Sequence, residues 1–233
     1  MSEPMRVALV GATGLVGRSI VNECVGREDL RLGAIARREM ALPRGARMEM
    51  FVADPARWGE VVESLKPQAV ICAIGTTWAK AGRDEGAFRS VDHDLVLDFA
   101  GACRKLGVRR FVAVSSVGAD AHSKGFYLRV KGETERDLAK LGFERLDILR
   151  PGLLRGRRDG DRRFAERAGI VLSPLINPFL GGRLRRYRAI DSQTVARAAL
   201  YLAMRPVRGR FVHENAEILR AARHLPEPVA IPN

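Results

Sequence analysis

Met5-Arg-Val-Ala-Leu-Val-Gly-Ala-Thr-Gly-Leu-Val-Gly17 decides the fold. Val7 to Val10 is a short apolar run of strand type, and it ends abruptly in Gly11, Gly14 and Gly17. Residues 18–25 follow as a helix with Ile20, Val21 and Cys24 on one face. A strand, a glycine turn and a helix together suit a pyrophosphate. Glycine lets the backbone turn tightly and approach the phosphates, and the helix N-terminus offers free N–H groups at a positive dipole end. The whole turn, Gly11, Ala12, Thr13, Gly14, Leu15, Val16 and Gly17, is therefore expected to hold a dinucleotide. The plainer alternative is a glycine-rich turn with no ligand.

Working outward, strands and helices alternate through the first 150 residues, which predicts a parallel sheet covered on both faces. The expected class is α/β, a Rossmann-type doubly wound sheet. Strands are read at 30–36, 47–52, 69–74, 110–116 and 146–149, and helices at 56–65, 87–106 and 127–141. One domain spans the chain, with a small substrate-binding part over 152–223 and a loose proline-rich tail after it.

The cofactor side is read from strand ends. Arg37 and Arg38 follow the second strand, about 20 residues past the glycines. An acid there bonds the ribose 2′-hydroxyl of NAD, whereas arginine accommodates the 2′-phosphate of NADP. NADP is expected, although two exposed turn arginines would look the same. Asp54 follows the third strand and suits the adenine pocket, or the cap of the next helix with Pro55 at its first position. The fourth strand ends in Ala73, Ile74, Gly75 and Thr76, where glycine keeps the strand end open. Asp92 and Asp94 lie in the next helix and are read as solvated surface.

Chemistry is placed between 110 and 131. A strand ends in Ser115-Ser116, and Tyr127 and Lys131 share one helix face at i, i+4. Alone that pair is weak evidence. Its value comes from following the Ser-Ser strand end in a chain that opens on the glycine turn.

With Leu149-Arg-Pro-Gly152 after the next strand, these residues resemble the short-chain dehydrogenase/reductase superfamily. The chain is similar to its atypical NAD(P)H-binding group, the oxidoreductases like the HIV Tat-interacting protein. Gly75-Thr-Thr77, Val114-Ser-Ser116, Tyr127-Leu-x-Val-Lys-Gly-Glu133 and Arg150-Pro-Gly152 carry the likeness. The resemblance implies hydride transfer to a carbonyl or from an alcohol. Tyr127 would be the general acid, Lys131 its electrostatic partner and ribose ligand, and Ser116 the carbonyl anchor, with Ser115 as the other choice. Pro151 and Gly152 would meet the nicotinamide carboxamide. A free phenol ionises at about 10, and a neighbouring ammonium favours the phenolate. The other implied functions are a dinucleotide-binding redox regulator with little turnover, and an epimerase or dehydratase. Known relatives of that last kind have a larger substrate domain.

Composition bounds the remainder. The formal charge is +13, and 11 arginines against three acids over 150–188 localise most of it. No zinc-finger, RNP or helix-turn-helix pattern accompanies that charge, so nucleic acid is not the expected partner. An anionic ligand site or a solvated basic loop remain. Arginine also outnumbers lysine 34 to 6, a general preference that accounts for part of the excess. Cys24, Cys72 and Cys103 lack metal or disulfide spacing and read as small buried hydrophobes. With no membrane-length apolar run and no signal-peptide pattern, a cytoplasmic monomer or homodimer acting on a small carbonyl or alcohol is expected. His122, Ser123 and Lys124 read as a polar loop or substrate contacts. His213 receives no role.

Overall fold

The structure is a computed structural model that describes residues 3–156 and 186–228. Within the substrate-binding part the sequence predicts a basic loop over 155–163, a short helix over 164–170 and a proline-broken apolar stretch over 171–180; from residue 157 to 185 these lie outside the described residues, as does the end of the tail.

Seven parallel strands form the main sheet in the order β3-β2-β1-β4-β5-β6-β9. They are β1 (Met5–Val10), β2 (Leu30–Ala36), β3 (Glu49–Val52), β4 (Ala69–Cys72), β5 (Arg110–Val114), β6 (Arg145–Leu149) and β9 (Gly209–His213). Between β6 and β9, β7 (Leu154–Arg155) and β8 (Ile190–Asp191) pair in a small second sheet. The fold is Rossmann-like and doubly wound, as the alternation predicts. β1 has a neighbour on each side, with Val7 opposite Leu32 and Ala69. A strand flanked and covered this way has no solvent face, hence the unbroken apolar runs of β1 and β4.

Helices cover both faces. On one side, Val16, Ile20 and Val21 of α1 (Leu15–Glu23) pack with Val195, Ala199 and Leu202 of α6 (Ser192–Met204). Ile218 of α7 (Asn215–Arg223) joins this layer over Val7, Leu9 and Ile71. On the other, Trp58 and Val62 of α2 (Trp58–Leu65) meet Phe99 and Cys103 of α4 (Leu95–Lys105), and Leu138 of α5 (Phe126–Lys140). That layer rests on Ala8, Val10, Val70 and Phe111. Each large side chain so buried contributes about 1.5–3 kcal/mol.

Boundaries differ from expectation for local reasons. α1 starts at Leu15, three residues early, because Gly14 is its extended N-cap. Asp54 is a helix cap: its Oδ1 accepts from Ala56 N at 3.0 Å, and Pro55–Arg57 form a 3-10 turn before α2. β4 ends at Cys72, and Ala73 still donates to Val10 O at 2.9 Å. The helix expected over 87–106 is three pieces: α3 (Glu85–Arg89), a π-helical turn (Ser90–Asp94) and α4. The strand expected at 187–190 is only β8. The edge strand expected at 211–213 is β9, parallel to β6. His213, given no role from sequence, bonds through Nε2 to Asp147 Oδ1 at 2.8 Å, while Arg145 also clasps Asp147.

Candidate active site at the sheet switch point

Strand order reverses between β1 and β4, and at such a point the connections leave in opposite directions and open a crevice beyond the strand ends. Here a cavity of about 270 Å³ is lined by Thr13, Gly14, Leu15 and Val16 from the glycine turn. Ala73, Ile74, Gly75 and Thr76 line it from the end of β4, and Ser115, Tyr127 and Lys131 from β5 and α5. Arg18, Arg38 and Lys80 add positive charge.

The glycines shape the crevice from beneath. Gly11 has φ +84°, and a Cβ there would sit 2.5 Å from Ala73 O. A Cβ on Gly17 would lie 2.2 Å from Gly11 O, so α1 could not close on its own turn. Ala12 is fully buried under it. No side chain caps α1 and its first turn carries no acid, which leaves its N–H groups to a ligand anion.

The other wall is built from buried charge. Lys131 is 7% exposed, and its Nζ lies 2.6 Å from Asp92 Oδ1. Burial alone would push the lysine down. The Asp92 carboxylate, helped by Tyr127, outweighs it and holds Lys131 above its ordinary 10.5. Asp92 Oδ2 accepts from Thr76 N at 2.8 Å. Asp92 Oδ1 makes the ion pair but no aligned hydrogen bond. Asp92 is thus a wholly buried site residue, and the expectation of solvated surface was wrong for it. The π turn is the cause: one extra residue per turn shifts the helix phase and carries Asp92 inward.

Of the two serines, Ser115 lines the cavity. Its Oγ donates to Glu135, a buried carboxylate also held by Arg150 Nε at 3.0 Å. The Ser116 hydroxyl turns instead to its neighbour, Val117 O, at 3.4 Å. Tyr127 is 37% exposed, its ring set 5.4 Å from the buried Phe88 ring.

Several expected residues stand apart. Arg38 lines the cavity, whereas Arg37 and Asp54 are exposed and do not. Gly152 N already donates to Asn215 Oδ1 at 2.9 Å, and Pro151 O accepts from Val117 N at 3.0 Å. Those backbone groups tie the β6 end to α7 and the β5 loop. Sequence reasoning missed Asp92 and Glu135. Glu135 had a readable signal, since Tyr127, Lys131 and Glu135 follow at i, i+4, i+8 on one face.

Residues 11–204 match the NAD(P)H-binding family. Protein FMP52, mitochondrial, of Meyerozyma guilliermondii is 37% identical over 210 residues, covering 88% of each chain. Protein fmp52, mitochondrial, of Emericella nidulans is 35% identical over 217 residues, covering 87% of this chain and 89% of that one. Among solved structures, the UDP-glucose 4-epimerase of Thermotoga maritima with UDP-glucose superposes with a TM-score of 0.68 at 16% identity. It covers 90% of this chain and 77% of its own. MoeE5 in complex with UDP-glucose and NAD gives 0.67 at 18% identity, over 96% and 83%. At these identities the two structures share the fold alone.

The relatives' names overturn the cytoplasmic expectation, since both are mitochondrial proteins. The thiols never bore on it. Cys24, Cys72 and Cys103 are buried and unbridged, and burial pushes the Cys24 and Cys72 thiols up to about 12. No helix among the described residues is long and apolar enough to cross a membrane. The match over most of the chain, with relatives above one-third identity across nearly the whole of both sequences, establishes that this chain belongs to the NAD(P)H-binding family.

Proposed function

We propose that the chain is an NADP(H)-dependent oxidoreductase acting on a small carbonyl or alcohol. The observation that carries this is one cavity holding Ser115, Tyr127 and Lys131 together with the glycine turn and Arg38. The residues fit a dinucleotide: an uncapped α1 N-terminus for the pyrophosphate, and a basic side chain beyond β2 for a ribose 2′-phosphate. When bound, the nicotinamide supplies or accepts the hydride.

The chain's own residues handle the proton. The Tyr127 hydroxyl is accessible and donates to a carbonyl oxygen, or takes the proton of an alcohol. Lys131 keeps its charge because Asp92 holds it, so a fixed positive charge faces the phenol. Ser115 Oγ donates its hydrogen bond to Glu135 and presents lone pairs to the cavity. It therefore positions a hydroxyl, and polarises a carbonyl only after exchanging that bond.

A panel of carbonyl substrates followed by NADPH absorbance tests the proposal. Tyr127→Phe should lower turnover about 10²–10⁴-fold and leave NADPH affinity unchanged. Full activity in that variant would end the mechanism. No turnover of any carbonyl by the parent, with tight NADPH binding, would favour a regulatory binding role.

A further inference from the structure

The N-terminal ends of the strands, opposite the cofactor crevice, carry a second cavity of about 340 Å³. Its floor is the row of residues that β1, β2 and β3 present toward α2. Arg6 and Arg31 are direct partners across β1 and β2. Arg47 lies two residues before β3, whose first residue Glu49 pairs with Gly33 of β2. Partners in a parallel sheet project to one face about 5 Å apart, so the Arg6 and Arg31 guanidinium groups share one row, and Arg47 joins them in lining the cavity.

Like charges on neighbouring strands destabilise a sheet, so the row calls for counter-charge. The protein supplies little. Arg6 Nη1 meets Glu3 Oε1 at 3.1 Å on the exposed side, and Glu49 stands in the cavity wall. Arg31 and Arg47 form no ion pair among the described residues. A fourth cation, Lys66, closes the rim. It ends α2 in a left-handed conformation, φ 45°, rare for a residue with a side chain. Its carbonyl accepts from Arg6 Nε at 3.2 Å, which fixes that guanidinium before any ligand arrives. The left-handed residue and the held arginine make this a pre-set cluster, unlike a scatter of solvated arginines.

We propose that this cavity binds a multiply charged phosphate-ester anion. Guanidinium groups meet phosphate oxygens in planar pairs, and the row spans a ligand with two adjacent phosphates. Phe51 and Leu65 form the apolar remainder of the wall and would cover a less polar part of the ligand. The site is independent of the proposed redox chemistry, and the sheet separates it from the glycine turn.

The test is calorimetric titration of inorganic pyrophosphate into protein saturated with NADPH, which occupies the glycine turn, so that binding lost in an arginine variant reports on this cavity. One equivalent should bind, weakening steeply with salt. Arg31→Ala with Arg47→Ala should reduce that affinity about tenfold or more, leave NADPH affinity unchanged and, by relieving the repulsion, not lower the melting temperature. Sedimentation with vesicles of phosphatidylcholine alone or with phosphatidylglycerol distinguishes the source. Pyrophosphate binding lost in the double variant assigns a free phosphate ligand. Capture only by the phosphatidylglycerol vesicles, lost in the same variant, assigns a lipid headgroup. Binding of neither probe, or binding equal in parent and double variant, overturns the proposal.

Discussion

The two walls of the switch-point crevice are made in opposite ways. The glycine wall is shape: backbone packed so closely that a methyl group at Gly11 or Gly17 would overlap a carbonyl oxygen. The wall across from it is charge: Asp92 against Lys131, and Glu135 shared by Ser115 and Arg150. Shape of this kind is partly local: Gly17 closes on Gly11 O within the same turn, whereas Gly11 itself meets Ala73 O at the end of β4. The charge wall joins residues 15 to 39 positions apart, from the ends of β4, β5 and β6, the π turn and α5. The first wall needs only its own turn and the neighbouring strand β4, while the second exists only when β5, α5 and β6 have assembled as well.

The sharpest way to break the contrast is Asp92→Asn. Removing one partner of a buried ion pair costs about 3–5 kcal/mol, so chemical denaturation should show a loss on that scale. The pH dependence carries a sign. In the parent, Lys131 is held above 10.5, so the pair's contribution is complete below that value and is lost only as pH rises through the raised one. In the variant only burial acts strongly on the amine and pushes it below 10.5, so stability should rise with pH toward 10. Equal stability in parent and variant, flat with pH, would show that Asp92 does not govern Lys131.

Gly17→Ala probes the opposite wall with a single methyl group. Overpacking at 2.2 Å costs about 1–3 kcal/mol, and NADPH affinity should fall as the turn opens, with no new pH dependence. Unchanged affinity would mean the turn does not shape the nucleotide site. The smallest effect is expected at Arg38. Arg38→Ala should erase a preference for NADPH over NADH of about tenfold, near 1.4 kcal/mol, whereas Arg37→Ala should leave it intact, since only Arg38 lines the cavity. Competition binding with the two cofactors decides this, and equal affinities in the parent would sink the NADP assignment.

The same contrast explains what the sequence disclosed. The glycine turn, the parallel sheet and the Tyr127/Lys131 pair are local patterns, legible from spacing and apolar runs. Asp54 as a cap was legible for the same reason. Asp92 was not, because its inward direction depends on a π turn that no periodicity announces in Ser90–Asp94. Choosing Ser115 over Ser116 needed Glu135, twenty residues on, to show which hydroxyl has a buried partner. The arginine row required strand register, which apolar patterning leaves open.

The layer joining α1 to α6 bears on synthesis. Val16, Ile20 and Val21, just behind the glycine turn, bury against Val195, Ala199 and Leu202. Ser19 bonds Ser192 at 2.9 Å, Glu23 receives Gln193 and Arg197, and Arg27 reaches Pro226 O. The glycine turn and α1 are synthesised some 170 residues before α6, the helix that covers α1. Contacts so distant in sequence are slow to close. Until α6 is in place, the apolar face of α1 behind the glycine turn stands uncovered.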